Sequence, residues 1–212
     1  TQWADVDGDG FGDNSSGNEA DECPTVAGTS TVDRLGCVDS DGDGYSDPDP
    51  NTNWLPAQGA DAFPNEPTQW ADQDIDSYGD NPAGVRADDC PTVRGSSTID
   101  RLGCVDNDGD GYSDASGDWT VLQGADACPL IYGFSTADRI GCLDTDEDNY
   151  SDPTVDYGVE DGADAYPNDP TRWILEPEEE TSLLAGSNAL IGGGVGLVAV
   201  SYTHLTLPTI PG

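Results

Sequence analysis

Five times in 212 residues the chain places an Asp at alternate positions three times running, then an aromatic residue at position 7 and a fourth Asp at position 9. The five loops start at Asp5, Asp39, Asp72, Asp106 and Asp144. Carboxylates this close repel one another, so no apolar core can absorb them unpaired. The rest of the chain offers little relief: 43 acidic residues face six Arg and no Lys, a formal charge of −37. Hydrophobic residues make up only 34%, and Gly (27) and Pro (15) interrupt every short apolar run. A conventional core is not expected. The field would repel nucleic acid and anionic membrane surfaces, which are excluded as partners. The fold expected is an array of small irregular loops organised by bound cations.

The register fits a hard cation. Asp5, Asp7 and Asp9 converge if the backbone curls tightly, as do Asp39, Asp41 and Asp43; Asp72, Asp74 and Asp76; Asp106, Asp108 and Asp110; and Asp144, Asp146 and Asp148. Position 6, where the chain must turn, is Gly10, Gly44, Ser77, Gly111 or Asn149. The position-7 carbonyls of Phe11, Tyr45, Tyr78, Tyr112 and Tyr150 are candidate ligands, with Asp13, Asp47, Asp80, Asp114 and Asp152 at position 9. Calcium takes six to eight oxygens; magnesium, which dehydrates reluctantly, fits less well. An EF-hand needs Glu at position 12, where this chain has Ser16, Pro50, Ala83, Gly117 and Val155. The remaining carboxylate is assigned to a second phrase, Ala-Asp-x-(Cys/Phe/Tyr)-Pro, as Asp21, Asp61, Asp88, Asp126 and Asp164. This register holds 25 of the 43 acids, which dispersed salt-adapted acids would not produce.

A longer period overlies the loops. Thr1-Gln2-Trp3-Ala4-Asp5 returns as Thr68-Gln69-Trp70-Ala71-Asp72, and Thr171-Arg172-Trp173 opens a third copy. The organisation expected is a first calcium-repeat unit over 1–67 and a second over 68–170. The second carries one inserted sub-unit, roughly Gly124 to Asp161. No window carries a helical stripe, so regular secondary structure should be sparse, with Trp and Tyr packing between neighbouring loops.

Six cysteines fall as Cys23/Cys37, Cys90/Cys104 and Cys128/Cys142, each pair 14 apart and closed by Asp-Arg-(Leu/Ile)-Gly-Cys. Identical spacing inside repeated units favours sequential disulfides, each stabilising its loop by about 3 kcal/mol. Units with Phe63 or Tyr166 in place of the first Cys lack the closing one too. No C-x-x-C occurs, and hard Asp ligands do not suit a thiolate metal, so zinc and redox roles are set aside. Disulfides imply an oxidising, extracytoplasmic location. Arg34, Arg101 and Arg139 are expected to pair with neighbouring carboxylates.

Together these phrases resemble thrombospondin type 3 repeats, whose units join such acidic loops to an Asp-x-Cys-Pro step, as at Asp21-Glu22-Cys23-Pro24 and Asp88-Asp89-Cys90-Pro91. The similarity runs from Asp5 to about Pro170. It implies a calcium-wrapped, disulfide-pinned, elongated extracellular array, with Asp at positions 1, 3, 5 and 9, the later Asp and the position-7 carbonyl as ligands. Two departures stand out. Position 9 and the later Asp lie 8, 14, 8, 12 and 12 residues apart. Loop three has Ile75 and Ser77, and loop five Glu147 and Asn149, where Gly is usual. The Thr-Gln-Trp-Ala-Asp joints resemble, more weakly, cell-surface repeat proteins of marine archaea.

Beyond Trp173 the composition changes. An acidic spacer over 171–182 leads to 183–199, an uncharged stretch read as a transmembrane segment, with Gly192 to Gly196 matching a helix-contact pattern. The last residues, 200–212, look like a translated sequencing adapter and are expected to be foreign to the natural protein, which leaves His204 without a role. With no Met, the chain reads as a fragment. No base–nucleophile pair or phosphate loop points to an enzyme. The function expected is a surface-anchored stalk or spacer rigidified by Ca2+. Alternatives are a calcium-dependent adhesion module, whose partner would be another surface protein or a glycan, and a salt-adapted disordered spacer binding no specific ion. Contact with a membrane is expected only through the C-terminal segment.

Overall fold

The structure, a computed structural model, describes residues 4–176. The chain divides into two units, Thr1–Leu175 and Glu176–Gly212. The second lies outside the described residues apart from Glu176, and with it the expected membrane segment 183–199 and the tail 200–212. Among the described residues no helix is long and apolar enough to cross a membrane.

Regular structure is as scarce as the Gly, Pro and Asp content demands. Among the described residues there are three single-turn 3-10 helices, η1 (Pro56–Gln58), η2 (Val121–Gln123) and η3 (Val159–Asp161), with a few isolated β-bridges. The order comes instead from a hydrogen-bond frame repeated in all five loops. The amide of position 9 donates to the carbonyl just before position 1: Asp13 to Ala4, Asp47 to Val38, Asp80 to Ala71, Asp114 to Val105 and Asp152 to Leu143. The amide of the later Asp donates to the carbonyl of position 8, at 2.9 Å in every case: Asp21 to Gly12, Asp61 to Ser46, Asp88 to Gly79, Asp126 to Ser113 and Asp164 to Ser151. The second bond resolves the unequal spacers. Where the spacer is longer, the surplus is taken up by turns and by η1, η2 or η3, and the Asp still returns to the same carbonyl.

The cysteines pair sequentially, Cys23–Cys37, Cys90–Cys104 and Cys128–Cys142, as the spacing predicts. Inside each disulfide loop a fully buried serine ties the chain to itself. Ser30, Ser97 and Ser135 donate through Oγ to the carbonyls of Arg34, Arg101 and Arg139, and accept the amides of Cys37, Cys104 and Cys142 at 3.0, 3.0 and 3.1 Å.

The disulfide loop also bridges two acidic loops. The amides of Thr31 and Val32 share the Gly44 carbonyl at position 6 of loop two; Thr98 and Ile99 share that of Gly111, and Thr136 and Ala137 that of Asn149. Asp33 accepts the Ser46 amide and hydroxyl at position 8, Asp100 those of Ser113, and Asp138 those of Ser151. Where the cysteines are missing, an aromatic joint takes over: Trp70 stacks on Tyr45 and Trp173 on Tyr150, with ring centroids 5.1 and 5.2 Å apart. Gln69, also buried, accepts the Asn81 amide at 2.9 Å and donates to the Asn81 and Val85 carbonyls, anchoring the joint to loop three.

The arginines meet the expectation of carboxylate partners only at Arg34. The one ion pair among the described residues is Arg34–Glu22, at 3.9 Å. All three guanidinium groups lie over aromatic rings: Arg34 over Trp54, Arg101 over Trp119 and Arg139 over Tyr157, at 5.4, 5.7 and 4.8 Å. A planar, weakly hydrated cation gains from a ring face and from burying its stem. The adjacent carboxylates of Asp33, Asp100 and Asp138, meanwhile, are occupied by the amides and hydroxyls of Ser46, Ser113 and Ser151.

Candidate metal centres

Each loop is wound by its first Asp. Asp5 accepts the amides of Gly8 and Gly10, at positions 4 and 6, at 2.7 and 3.1 Å. Asp39, Asp72, Asp106 and Asp144 do the same in their loops. Both donor positions need positive φ. Loops three and five meet that need without glycine: Ile75, Ser77, Glu147 and Asn149 stand at φ 66°, 79°, 65° and 78°. The two departures in sequence therefore leave the winding unchanged, at the cost of strain that is greatest for the β-branched Ile75.

With the loop wound, one carboxylate oxygen from each of positions 1, 3 and 5 lies within 4.8 Å of the other two in all five cases, five groups that could hold a metal ion. Position 5 accepts the position-7 amide on Oδ1 at 2.9 Å in each loop. Position 3 is the least satisfied. Both carboxylate oxygens of Asp7, Asp74 and Asp146, and one each of Asp41 and Asp108, are buried with no hydrogen-bond partner. None of the five position-7 carbonyls accepts a backbone hydrogen bond among the described residues.

The later Asp completes the pattern. Asp21, Asp61, Asp88, Asp126 and Asp164 are all buried, three of them at most 1% exposed. Each accepts on Oδ1 the amide two residues on, at 2.6–2.7 Å. In all five, Oδ2 is buried and unpartnered. In the disulfide units the closing Gly-Cys step creates the room. Gly36, Gly103 and Gly141 have φ near 74°, and a Cβ on any of them would lie within about 2.4 Å of Oδ1 of the later Asp.

Burial pushes these carboxyls upward, and neighbouring acids push them further. Asp61 is raised to about 7, by desolvation first and then by Asp43, Asp41 and Asp47. Asp126 is likewise raised to about 7 and Asp88 to about 6, while Asp21 and Asp164 move in the same direction. A group burying charge without a counter-charge must take up a proton or a cation.

Position 9 lies outside the triplets. Asp47, Asp114 and Asp152 turn both oxygens to position 2, receiving the amide and side chain of Ser40, Asn107 and Thr145. Asp13 and Asp80 receive the amides of Val6 and Gln73. In this structure these residues brace the loop. The sequence reading missed Asp33, Asp100 and Asp138, which clamp one unit to the next. Their signal was present: position 8 is Ser where an Asp-Arg-(Leu/Ile)-Gly-Cys phrase precedes the loop, and Gly12 or Gly79 where none does.

Comparison with protein-family models gives no match, and comparison with curated protein sequences gives none either. Site chemistry and disulfides therefore carry the functional reading: repeated acidic groups able to hold metal ions, in a chain whose three disulfides point to an extracellular or secreted protein.

Proposed function

We propose that the chain is an extracellular calcium-binding repeat stalk, each acidic loop and its later Asp enclosing Ca2+, of the kind found in thrombospondin type 3 repeats. The observation that carries this reading is the set of buried carboxylate oxygens without partners, recurring at position 3 and at the later Asp of all five units. Native interiors rarely leave polar atoms unpaired, and an ion is what such oxygens can share. All-oxygen ligands in irregular loops favour Ca2+ over Mg2+. Extracellular modules of this kind bind at about 10⁻⁴–10⁻³ M, so external calcium keeps them loaded. A stalk of this kind would carry its anchor in the segment 183–199.

The test is the hydrodynamic radius of the disulfide-intact chain at constant ionic strength. Chelation should expand it and calcium should reverse the expansion. Equal compaction by sodium alone would replace this reading with the salt-adapted one.

One feature favours the adhesion variant. The third disulfide loop exposes Leu130, Ile131, Tyr132 and Phe134, where the first has Thr25, Val26, Ala27 and Thr29. If adhesion is the role, replacing Ile131 and Phe134 by Ser should abolish calcium-dependent attachment of the purified chain to cells; unchanged attachment excludes this surface.

A further inference from the structure

Loops two and five differ from the other three in the fate of one carboxylate oxygen, Oδ2 of position 5. In loops one, three and four it accepts the amide of Gly28, Gly95 or Gly133, at 3.1, 3.1 and 3.3 Å. That glycine belongs to the disulfide loop that follows, packed so closely on Cys37, Cys104 or Cys142 that a Cβ would lie 1.9–2.0 Å from the cysteine carbonyl. Loops two and five are followed instead by Phe63 to Trp70 and Tyr166 to Trp173, short segments with neither cysteine nor glycine. There Oδ2 of Asp43 and of Asp148 is buried and has no partner. The later Asp of the same two units, Asp61 and Asp164, is 0% exposed and also keeps an unpartnered Oδ2.

We propose that loops two and five form a separate, tighter class of divalent-cation site, in which the position-5 Asp offers an uncommitted oxygen, and that these two sites fill before the other three. The inference rests on the cation reading above and adds an order of loading to it. The glycine amide places a positive dipole on a ligand oxygen and weakens its pull on a cation. Without that amide, only a proton or a cation can relieve the buried oxygen, so binding starts from a less favourable ion-free state. Preorganisation does not offset this difference, because Oδ1 already fixes position 5 in every loop. The tight sites also report on themselves, since Tyr45 and Tyr150 are the loop residues stacked on Trp70 and Trp173.

The experiment is a calcium titration of the disulfide-intact chain against a chromophoric chelator, with tryptophan fluorescence read in parallel. Two equivalents should bind first, separated from the rest by about tenfold or more in Kd, and the fluorescence change should be complete with them. Asp43→Asn combined with Asp148→Asn should remove the tight phase and keep the weak one. Asp9→Asn combined with Asp76→Asn and Asp110→Asn should do the reverse. Five equivalents in a single class, or a tight phase surviving in the first double variant, overturns the proposal while leaving calcium binding intact. The absence of any saturable binding overturns the cation reading itself.

Discussion

Asp61 has its whole side chain inside the protein, with Oδ1 on the Phe63 amide at 2.7 Å and Oδ2 on nothing. Such a carboxylate is destabilising when ionised alone and favourable when it shares a cation, so one substitution should change sign with conditions. Asp61→Asn should raise the melting temperature of the ion-stripped chain, by relieving about 1–3 kcal/mol of unpaired burial, and lower it when calcium is present. Thermal denaturation in both conditions checks this; a decrease in both would mean that Asp61 is merely structural. The triplets were legible in sequence because a spacing of two with a turn at position 6 needs no distant partner. The later Asp was legible because its phrase recurs. The ring contacts of the arginines were not, since Arg34, besides its ion pair with Glu22, finds its ring at Trp54, 20 residues on.

Between a single residue and the whole chain stands the disulfide loop, which touches the acidic loop before it through Gly28 and the one after it through Thr31, Val32 and Asp33. Repetition exposed this element in sequence, and its cysteine pairing could be read directly. Its bridging role could not, because Asp33 sits beside Arg34 and Cys37, for which simpler local roles were at hand. Scarce secondary structure was foreseeable from Gly, Pro and Asp content; the fixed return of the later Asp over spacers of unequal length was not, since a backbone carbonyl at position 8 leaves no mark in composition. Ser46→Ala deletes the hydroxyl that donates to Asp33 at 2.8 Å and is itself fully buried. It should cost about 1–2 kcal/mol and raise amide exchange in both the 23–37 segment and loop two. Faster exchange confined to loop two would mean that the disulfide loop does not couple its neighbours.

At the scale of the molecule, the buried set among the described residues is Asp and Ser with Gln69, a few Cys and Ala and one tyrosine, Tyr78, so burial of apolar area cannot hold the fold alone. Charge compensation must, and pH should reveal it. With Asp61 and Asp126 near 7 and Asp88 near 6, the ion-free fold binds more protons than the unfolded chain between about pH 4 and pH 7. Its stability therefore falls as pH rises through that window. With calcium present the trend should invert, because protons compete with the ion for the same oxygens. Melting temperatures of the stripped and loaded protein across the window would show opposite slopes; parallel slopes would mean that these oxygens do not bind the ion. The decisive measurement is calorimetric titration of the stripped, disulfide-intact chain with CaCl2 at neutral pH and physiological ionic strength. Saturable heat with at least one equivalent for each of the five triplets is the predicted result. Heat no different from dilution into sodium chloride would contradict the idea that cations hold this fold together.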